Sequence, residues 1–169
     1  MAEAATIDAA RQEEFVGKVV GQISGTMTTL LGAVGDRLGL FKNLAAEGPA
    51  TSAELASRTN LNERYLREWL GGMATAGYLN YDRTTQRFTL PAEHAAVLAH
   101  ENGPFFVGGM YQMLPAFTGV FDQVLTAFRS GGGVSQSQYN DMLWDGLERF
   151  TCTWLRICCC NNGFPPCPT

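Results

Sequence analysis

Cysteine is the most reactive residue type in this chain, and its cysteines crowd into the C-terminal end. There are five: Cys152, Cys158, Cys159, Cys160 and Cys167. A disulfide framework would distribute its cysteines through the fold. Zinc ligands would come in pairs about two residues apart, with further histidines or cysteines at loop distance. Three of these cysteines are contiguous and no histidine follows them, so the spacing predicts no disulfide framework and no metal site.

The two histidines and a glycine run are the other candidates for chemistry. Neither His94 nor His100 has a neighbouring carboxylate and nucleophile of the kind that general base catalysis requires. We therefore expect solvated or capping roles for both. Gly131, Gly132 and Gly133 would bind phosphate only between a strand and a helix, followed by a lysine and a hydroxyl. VSQSQY follows them instead, which predicts a loop, and no catalytic residue is identified in the chain.

Some arginines have the chemistry to contact DNA if they lie on a helix-turn-helix and its wing. They are Arg64, Arg67, Arg83 and Arg87. The charge balance disfavours this role, since the chain has a net charge of -4 and DNA affinity depends largely on cations. Glu63 and Glu68 also share a predicted helix with two of these arginines and would repel phosphates. Exposed helix charge is the preferred interpretation, and a DNA-binding transcription regulator is the alternative.

These arginines belong to a segment, residues 51–90, whose pattern predicts a winged helix-turn-helix. Thr51 or Ser52 is placed to cap its first helix, and Glu54 follows at capping-box distance. Asn62 caps the second helix. The buried stripe of that helix is Leu66, Leu70 and Met73, with Tyr65 and Trp69 on its flank. Gly77 ends it, and residues 78–82 and 87–90 have the composition of two wing strands joined by a hairpin-length connection.

An amphipathic helix is predicted before this segment, from Asp8 to about Gly35. Its apolar residues recur at three- and four-residue spacing: Phe15, Val19, Ile23, Met27, Leu30, Leu31 and Val34. Glycines interrupt it at Gly17, Gly21, Gly25 and Gly32. Each of them lowers helix stability, which is easier to justify where another backbone approaches closely. The sequence leaves open whether that backbone belongs to a second copy or to the same chain.

A further apolar helix is predicted to begin at Pro104 and to kink or divide at Pro115. Without a covering domain, it would expose a set of phenylalanines: Phe105, Phe106, Phe117, Phe121 and Phe128. We therefore expect poor solubility, self-association or dependence on a partner. Composition changes abruptly near Thr151, and the cysteine-rich tail shows no helical or strand period. A shifted reading frame or an alternative exon would explain such a tail.

The predicted fold is mainly α, a winged helix-turn-helix with flanking N- and C-terminal helices and a short two-stranded wing. Four parts are predicted: an N-terminal segment 1–14, a winged domain 15–100, a helical connector 101–150 toward a missing catalytic domain, and an aberrant tail 151–169. The N-terminus is too charged for a signal peptide. Charges interrupt the apolar stretch that follows it. We expect a soluble, cytoplasmic protein.

Three segments together resemble one enzyme family: ELASRTNLNERYLREWLGGMATAGYL, YDRTTQRFTLPAEHAAVLA and FRSGGGVSQSQYNDMLWDGLERFT. They are similar to the N-terminal region of class I S-adenosylmethionine-dependent methyltransferases that carry a winged-helix domain before a Rossmann-like catalytic domain. The resemblance covers about Phe15 to Trp154. It implies a region that covers the substrate and does not bind DNA. We expect this region to form a homodimer, or to self-associate, through the N-terminal helix and the winged domain.

The chain departs from this family at the cofactor site. The family binds S-adenosylmethionine at a strand followed by a GxGxG-type turn, with an acidic residue after the next strand. Neither is found here, so no cofactor-binding or catalytic residue carries over. Tyr139 alone is a candidate for bordering the methyl-donor pocket of a full-length enzyme. We expect no methyl-donor binding by these 169 residues. Whether the gene encodes a longer, active enzyme stays open, as does the methyl acceptor.

Overall fold

The computed structural model describes residues 7–101 and 103–162, with side chains as far as residue 152. Eight α-helices and two strands are found in this part of the chain. They are α1 Ala9–Arg37, α2 Leu40–Glu47, α3 Ser52–Thr59, α4 Glu63–Thr75, β1 Asn80–Asp82, β2 Arg87–Thr89, α5 Ala92–Leu98, α6 Gly108–Gly119, α7 Phe121–Ser130 and α8 Met142–Asn162. A short 3-10 helix, Gln136–Gln138, precedes α8. The mainly α prediction is confirmed.

The helix-turn-helix is built by the local signals that predicted it. The Thr51 hydroxyl accepts a hydrogen bond from the Glu54 amide at 3.2 Å, and the Glu54 carboxylate accepts one from the Thr51 amide at 2.8 Å. This capping box fixes the start of α3. Asn60 ends α3 in the left-handed region, with φ 55°. Asn62 then caps α4 through the amide of Arg64.

The wing is an antiparallel hairpin in the predicted position. Asn80 pairs with Thr89 and Tyr81 with Phe88, whose rings lie 4.6 Å apart. Ala50 bridges to Phe88, which fixes the wing beside the start of α3. The hairpin is short and has little surface to bury by itself, so its position depends on that bridge.

The core lies between α2, α3, α4 and α5 and differs from the prediction at Trp69. The largest buried side chains include Phe41, Leu55, Leu70 and Met73. Trp69 was expected on the flank of α4, but it is only 3% exposed. Its indole N–H donates to the carbonyl of Leu31 at 2.8 Å. The physical reason is that α1 crosses α4 here, a contact between distant segments that helical periodicity does not encode.

The C-terminal helices begin and divide at other residues than predicted. Helix α6 starts at Gly108, not at Pro104. Pro115 lies inside α6, and the break before α7 falls at Val120. The expected exposure of Phe106 is also wrong, since this side chain is 2% exposed. The Arg149 guanidinium covers its ring, 4.8 Å from the centroid, so a cation from α8 replaces solvent there.

Helix α8 continues past Thr151, where the composition changes. Its backbone is helical as far as Asn162, although no helical period was recognised in this stretch. The reason is that residues 151–162 contain neither glycine nor proline, so a helix already nucleated continues without a break. Cys152 is a half-buried free cysteine. Cys167 and the end of the tail lie outside the described residues, and the division into four parts stays a prediction.

Candidate functional site

The N-terminal half of α1 presents an apolar surface that no other element of the described chain covers. A helix of 29 residues is about 43 Å long. Seven large apolar side chains from Phe15 to Leu30 are each more than a third exposed: Phe15, Val16, Val19, Val20, Ile23, Met27 and Leu30. At about 100° per residue they form one continuous stripe. We call these seven residues the α1 stripe.

The C-terminal end of α1, in contrast, is packed tightly onto the domain. A Cβ atom at Gly32 would lie 2.8 Å from the ring of Tyr111, and one at Gly35 would lie 2.4 Å from the indole of Trp69. Gly17, Gly21 and Gly25 have no atom within 4 Å of the equivalent position. Close packing inside one chain therefore accounts for Gly32 but not for the three earlier glycines. These lie on the other side of the helix from the α1 stripe.

A second uncovered apolar surface lies on α6 and α7. Phe121, Leu125 and Phe128 follow one face of α7, and Phe117 adds to it from the end of α6. Phe128 is 88% exposed. Tyr139 packs edge-on against Phe117, with ring centroids 6.5 Å apart. The exposure predicted for Phe105, Phe117, Phe121 and Phe128 is confirmed, whereas the role of Tyr139 at a methyl-donor pocket stays a prediction.

A cluster of charges ties the end of α1 to α8, and no local sequence signal pointed to it. Arg149 donates to both carboxylate oxygens of Asp36 at 2.7 and 2.9 Å, across a separation of 113 residues. It also donates to Glu101. The Lys42 ammonium donates to Glu101 at 2.6 Å, and this hydrogen bond lowers the pKa of that carboxyl. The bidentate geometry makes Arg149 the bridge between the C-terminal end of α1 and α8.

Replacement of Arg149 by methionine is expected to destabilise the fold by about 3 kcal/mol. The Asp36 side chain is 5% exposed, and a buried carboxylate that loses its partner is strongly destabilising. Urea unfolding followed by circular dichroism measures this change. Arg129→Met is the matched control because Arg129 is exposed at the end of α7, and we expect less than about 0.5 kcal/mol there. Equal effects of the two substitutions would contradict the bridging role.

The four arginines considered for DNA binding do not form one free basic surface. Arg67 donates to both oxygens of Glu63, at 3.0 and 2.6 Å. This pairing lowers the pKa of Glu63 and raises that of Arg67. Arg87 donates to Glu54 and to the carbonyl of Pro49. Arg64 and Arg83 are exposed. Two of the four cations are thus already neutralised by carboxylates beside them, which disfavours the regulator hypothesis.

We expect no retention of random duplex DNA by the chain, even at low salt. A winged-helix regulator would bind, and each phosphate contact would contribute about -0.9 to the slope of log affinity against log salt. Fluorescence anisotropy of a labelled duplex across a salt titration measures this. As a control, Glu63→Gln frees Arg67 and removes one negative charge. Binding that is tight at low salt and falls steeply with added salt would support the regulator instead.

The described residues do not fit S-adenosylmethionine in the manner of a Rossmann-like site. Such a site needs parallel strands whose carboxyl ends meet at a glycine-rich turn and a helix N-terminus. The only sheet in the described part of the chain is the antiparallel pair β1–β2, and both strands belong to the wing. Within residues 7–101 and 103–152, no group of three or more histidine, cysteine or carboxylate side chains could hold a metal ion. Over the same described residues, no helix is long and apolar enough to cross a membrane.

Comparison with known proteins agrees with this architecture. Residues 26–100 match the family model described as an Rv2258c-like winged HTH domain. No curated protein matches the chain significantly. Among solved structures, the mitomycin 7-O-methyltransferase MmcR superposes with a TM-score of 0.69 at 21% identity, over 89% of this chain and 47% of MmcR. Human N-acetylserotonin methyltransferase, solved with S-adenosylmethionine, superposes with a TM-score of 0.64 at 17% identity. The match covers 93% of this chain and 47% of the human chain.

A third solved structure, an O-methyltransferase family protein from Burkholderia thailandensis, gives a TM-score of 0.65 at 14% identity. The match covers 91% of this chain and 44% of the Burkholderia chain. At these identities the likeness concerns the fold, and the chain spans about half the length of the structures it matches. The fold implied by the sequence resemblance is thereby confirmed. Residues 26–100 thus form a winged helix-turn-helix that matches the Rv2258c-like family model, in a chain whose fold is similar to about half of an O-methyltransferase.

Proposed function

We propose that the chain is the dimerisation and substrate-covering region of an S-adenosylmethionine-dependent O-methyltransferase. The observation that carries the proposal is the uncovered N-terminal half of α1. Apolar side chains on a helix are normally buried against another element, and the described chain supplies none for the α1 stripe. Methyl transfer itself would require a catalytic half, which the described residues do not provide.

The chemistry of the α1 stripe favours a second copy of this chain as its partner. Between Phe15 and Gly35 the only charged residue is Lys18, so the partner surface must also be apolar. An identical α1 presents such a surface, and most homo-oligomers are symmetric dimers in which the same patch meets itself. Pairing two α1 helices through the stripe therefore covers both copies with the same apolar residues. Gly17, Gly21 and Gly25 lie on the opposite side of the helix, so this contact does not involve them.

The covering role is supported by the aromatic surface on α6 and α7. Phe117, Phe121 and Phe128 are exposed on helices that follow the winged domain. This chain superposes on somewhat less than half of each of these solved O-methyltransferases. The half that it does not match would include the methyl-donor site. We propose that this surface borders that half and its acceptor pocket. A cytoplasmic location belongs to the same proposal.

Sedimentation velocity at micromolar concentration tests the dimer directly. We expect a species of twice 18.4 kDa, formed reversibly on raising the concentration. A monomer at every concentration reached would overturn the proposal. Calorimetry with S-adenosylmethionine is the companion measurement, with no binding heat expected. Measurable affinity would place a methyl-donor site in this chain and would overturn the division between a covering region and a separate catalytic half.

A further inference from the structure

A cavity of about 300 Å³ lies where the end of α4 meets α5 and the start of α6. Val97, Leu98 and Val107 give it apolar walls, and Tyr78, His94 and Tyr111 supply its polar groups. No charged side chain lines it. This volume is at the low end of the range of small-molecule sites, and apolar walls with a few converging polar groups are typical of them.

The hydrogen bond made by His94 leaves one ring nitrogen without a partner. Nδ1 lies 2.8 Å from the carbonyl oxygen of Tyr78. A carbonyl only accepts, so Nδ1 carries the proton. In the neutral ring Nε2 is then an acceptor. Among the described residues nothing donates to Nε2, and the ring is half-buried at the cavity wall. A solvated or capping role was expected for His94, and its place at the cavity wall was not predicted.

The two tyrosines provide the complementary donor. Tyr111 donates its hydroxyl proton to the Tyr78 hydroxyl at 3.4 Å, so the proton of Tyr78 is left for another acceptor. Burial and the hydrogen bond to Tyr78 raise the pKa of Tyr111, which keeps its hydroxyl protonated at neutral pH. The Tyr111 ring is held against Gly32 of α1. The residues that line the cavity thus carry one free acceptor and one free donor among apolar side chains.

We propose that this cavity binds a small neutral phenol, whose hydroxyl donates to His94 and accepts from Tyr78 while its ring packs on Val97, Leu98 and Val107. A hydroxyl meets both requirements with one atom. A carboxylate is disfavoured because no cation lines the cavity and a buried unpaired charge is costly. An aromatic ring suits the site because Tyr111 offers it an aromatic neighbour.

The site does not depend on dimerisation. None of the residues that line it belongs to the α1 stripe, so a monomeric chain would bind a phenol equally well. Failure of the dimer would leave this proposal standing, and failure of phenol binding would leave the dimer standing.

The test compares 4-methylphenol with toluene, which has the same ring and methyl group but no hydroxyl. Titration of the wild-type chain, followed by calorimetry and by the NMR signals of the His94 ring, should show saturable binding of one 4-methylphenol per chain. Toluene should bind about tenfold more weakly, since it leaves a buried donor and acceptor unmet. General hydrophobic adsorption predicts the opposite order, because toluene is the more apolar compound. No saturable binding, or tighter binding of toluene, would overturn the proposal.

Variants locate the binding. Val97→Trp should fill the cavity and reduce affinity for 4-methylphenol at least tenfold, with unchanged circular dichroism. His94→Leu should abolish the preference for 4-methylphenol over toluene. Phe128→Ala is the matched control, because it removes an exposed aromatic side chain that does not line the cavity and should leave the affinity unchanged. Loss of binding in Phe128→Ala, or full binding in Val97→Trp, would overturn the assignment to this cavity. The wild-type comparison decides the matter even where a variant fails to fold.

Discussion

Ile23→Asp is expected to convert a dimer of this chain into a monomer. Ile23 lies at the centre of the α1 stripe and is 56% exposed within one chain. Burial of an isoleucine side chain contributes about 1.5–3 kcal/mol, and a symmetric interface contains it twice. The dissociation constant is therefore expected to rise roughly a thousandfold, before the cost of burying two new carboxylates is counted.

The same substitution should leave the fold of the single chain almost unchanged. No other element of the described chain covers this part of α1, so no intramolecular packing is lost. Asn80→Asp is the matched control, since it adds one negative charge at an exposed position of β1, remote from the stripe. Sedimentation velocity should show a monomer for Ile23→Asp and a dimer for Asn80→Asp, with similar circular dichroism. A dimer that survives Ile23→Asp would place the interface elsewhere.

Gly109→Ala is expected to destabilise the fold by about 3 kcal/mol, although alanine is the better helix former. A Cβ atom at Gly109 would lie 2.5 Å from the carbonyl oxygen of Gly146 and 2.6 Å from the amide nitrogen of Phe150. Both are backbone atoms of α8, so neither can rotate away as a side chain would. Relief of this contact requires α6 and α8 to separate, which opens the packing around Gly146 and Met113.

Gly71→Ala is the control for intrinsic helix propensity. Gly71 lies inside α4 and has no atom within 4 Å of its Cβ position, so alanine there should stabilise by about 0.5–1 kcal/mol. Urea unfolding monitored by circular dichroism should therefore show changes of opposite sign for the two variants. A stabilising effect of Gly109→Ala would show that α6 and α8 are not in close backbone contact in solution.

Sequence reasoning was most accurate where a structural feature depends on residues close together in the chain. The capping box of Thr51 and Glu54, the Asn62 cap and the two wing strands each follow from interactions within a few residues. The apolar face of α1 also followed from helical spacing, but its exposure did not. The sequence also showed the overall charge balance. It did not predict that Arg87 pairs with Glu54, which lies 33 residues earlier in the chain. Site residues proposed from resemblance, Tyr139 among them, stay predictions.

Local patterns were thus enough to predict the mainly α winged helix-turn-helix and the apolar stripe on its first helix, because helix period, caps and turns depend on neighbouring residues. Which side chains are covered, and which groups meet, depends on how the helices pack. Trp69 is buried because α1 crosses it, and Phe106 because Arg149 lies over it. Asp36 finds its partner 113 residues away, and His94 meets Tyr78 at a cavity wall. Such pairings form when helices that are distant in the sequence pack together. Local periodicity does not show which helices these will be.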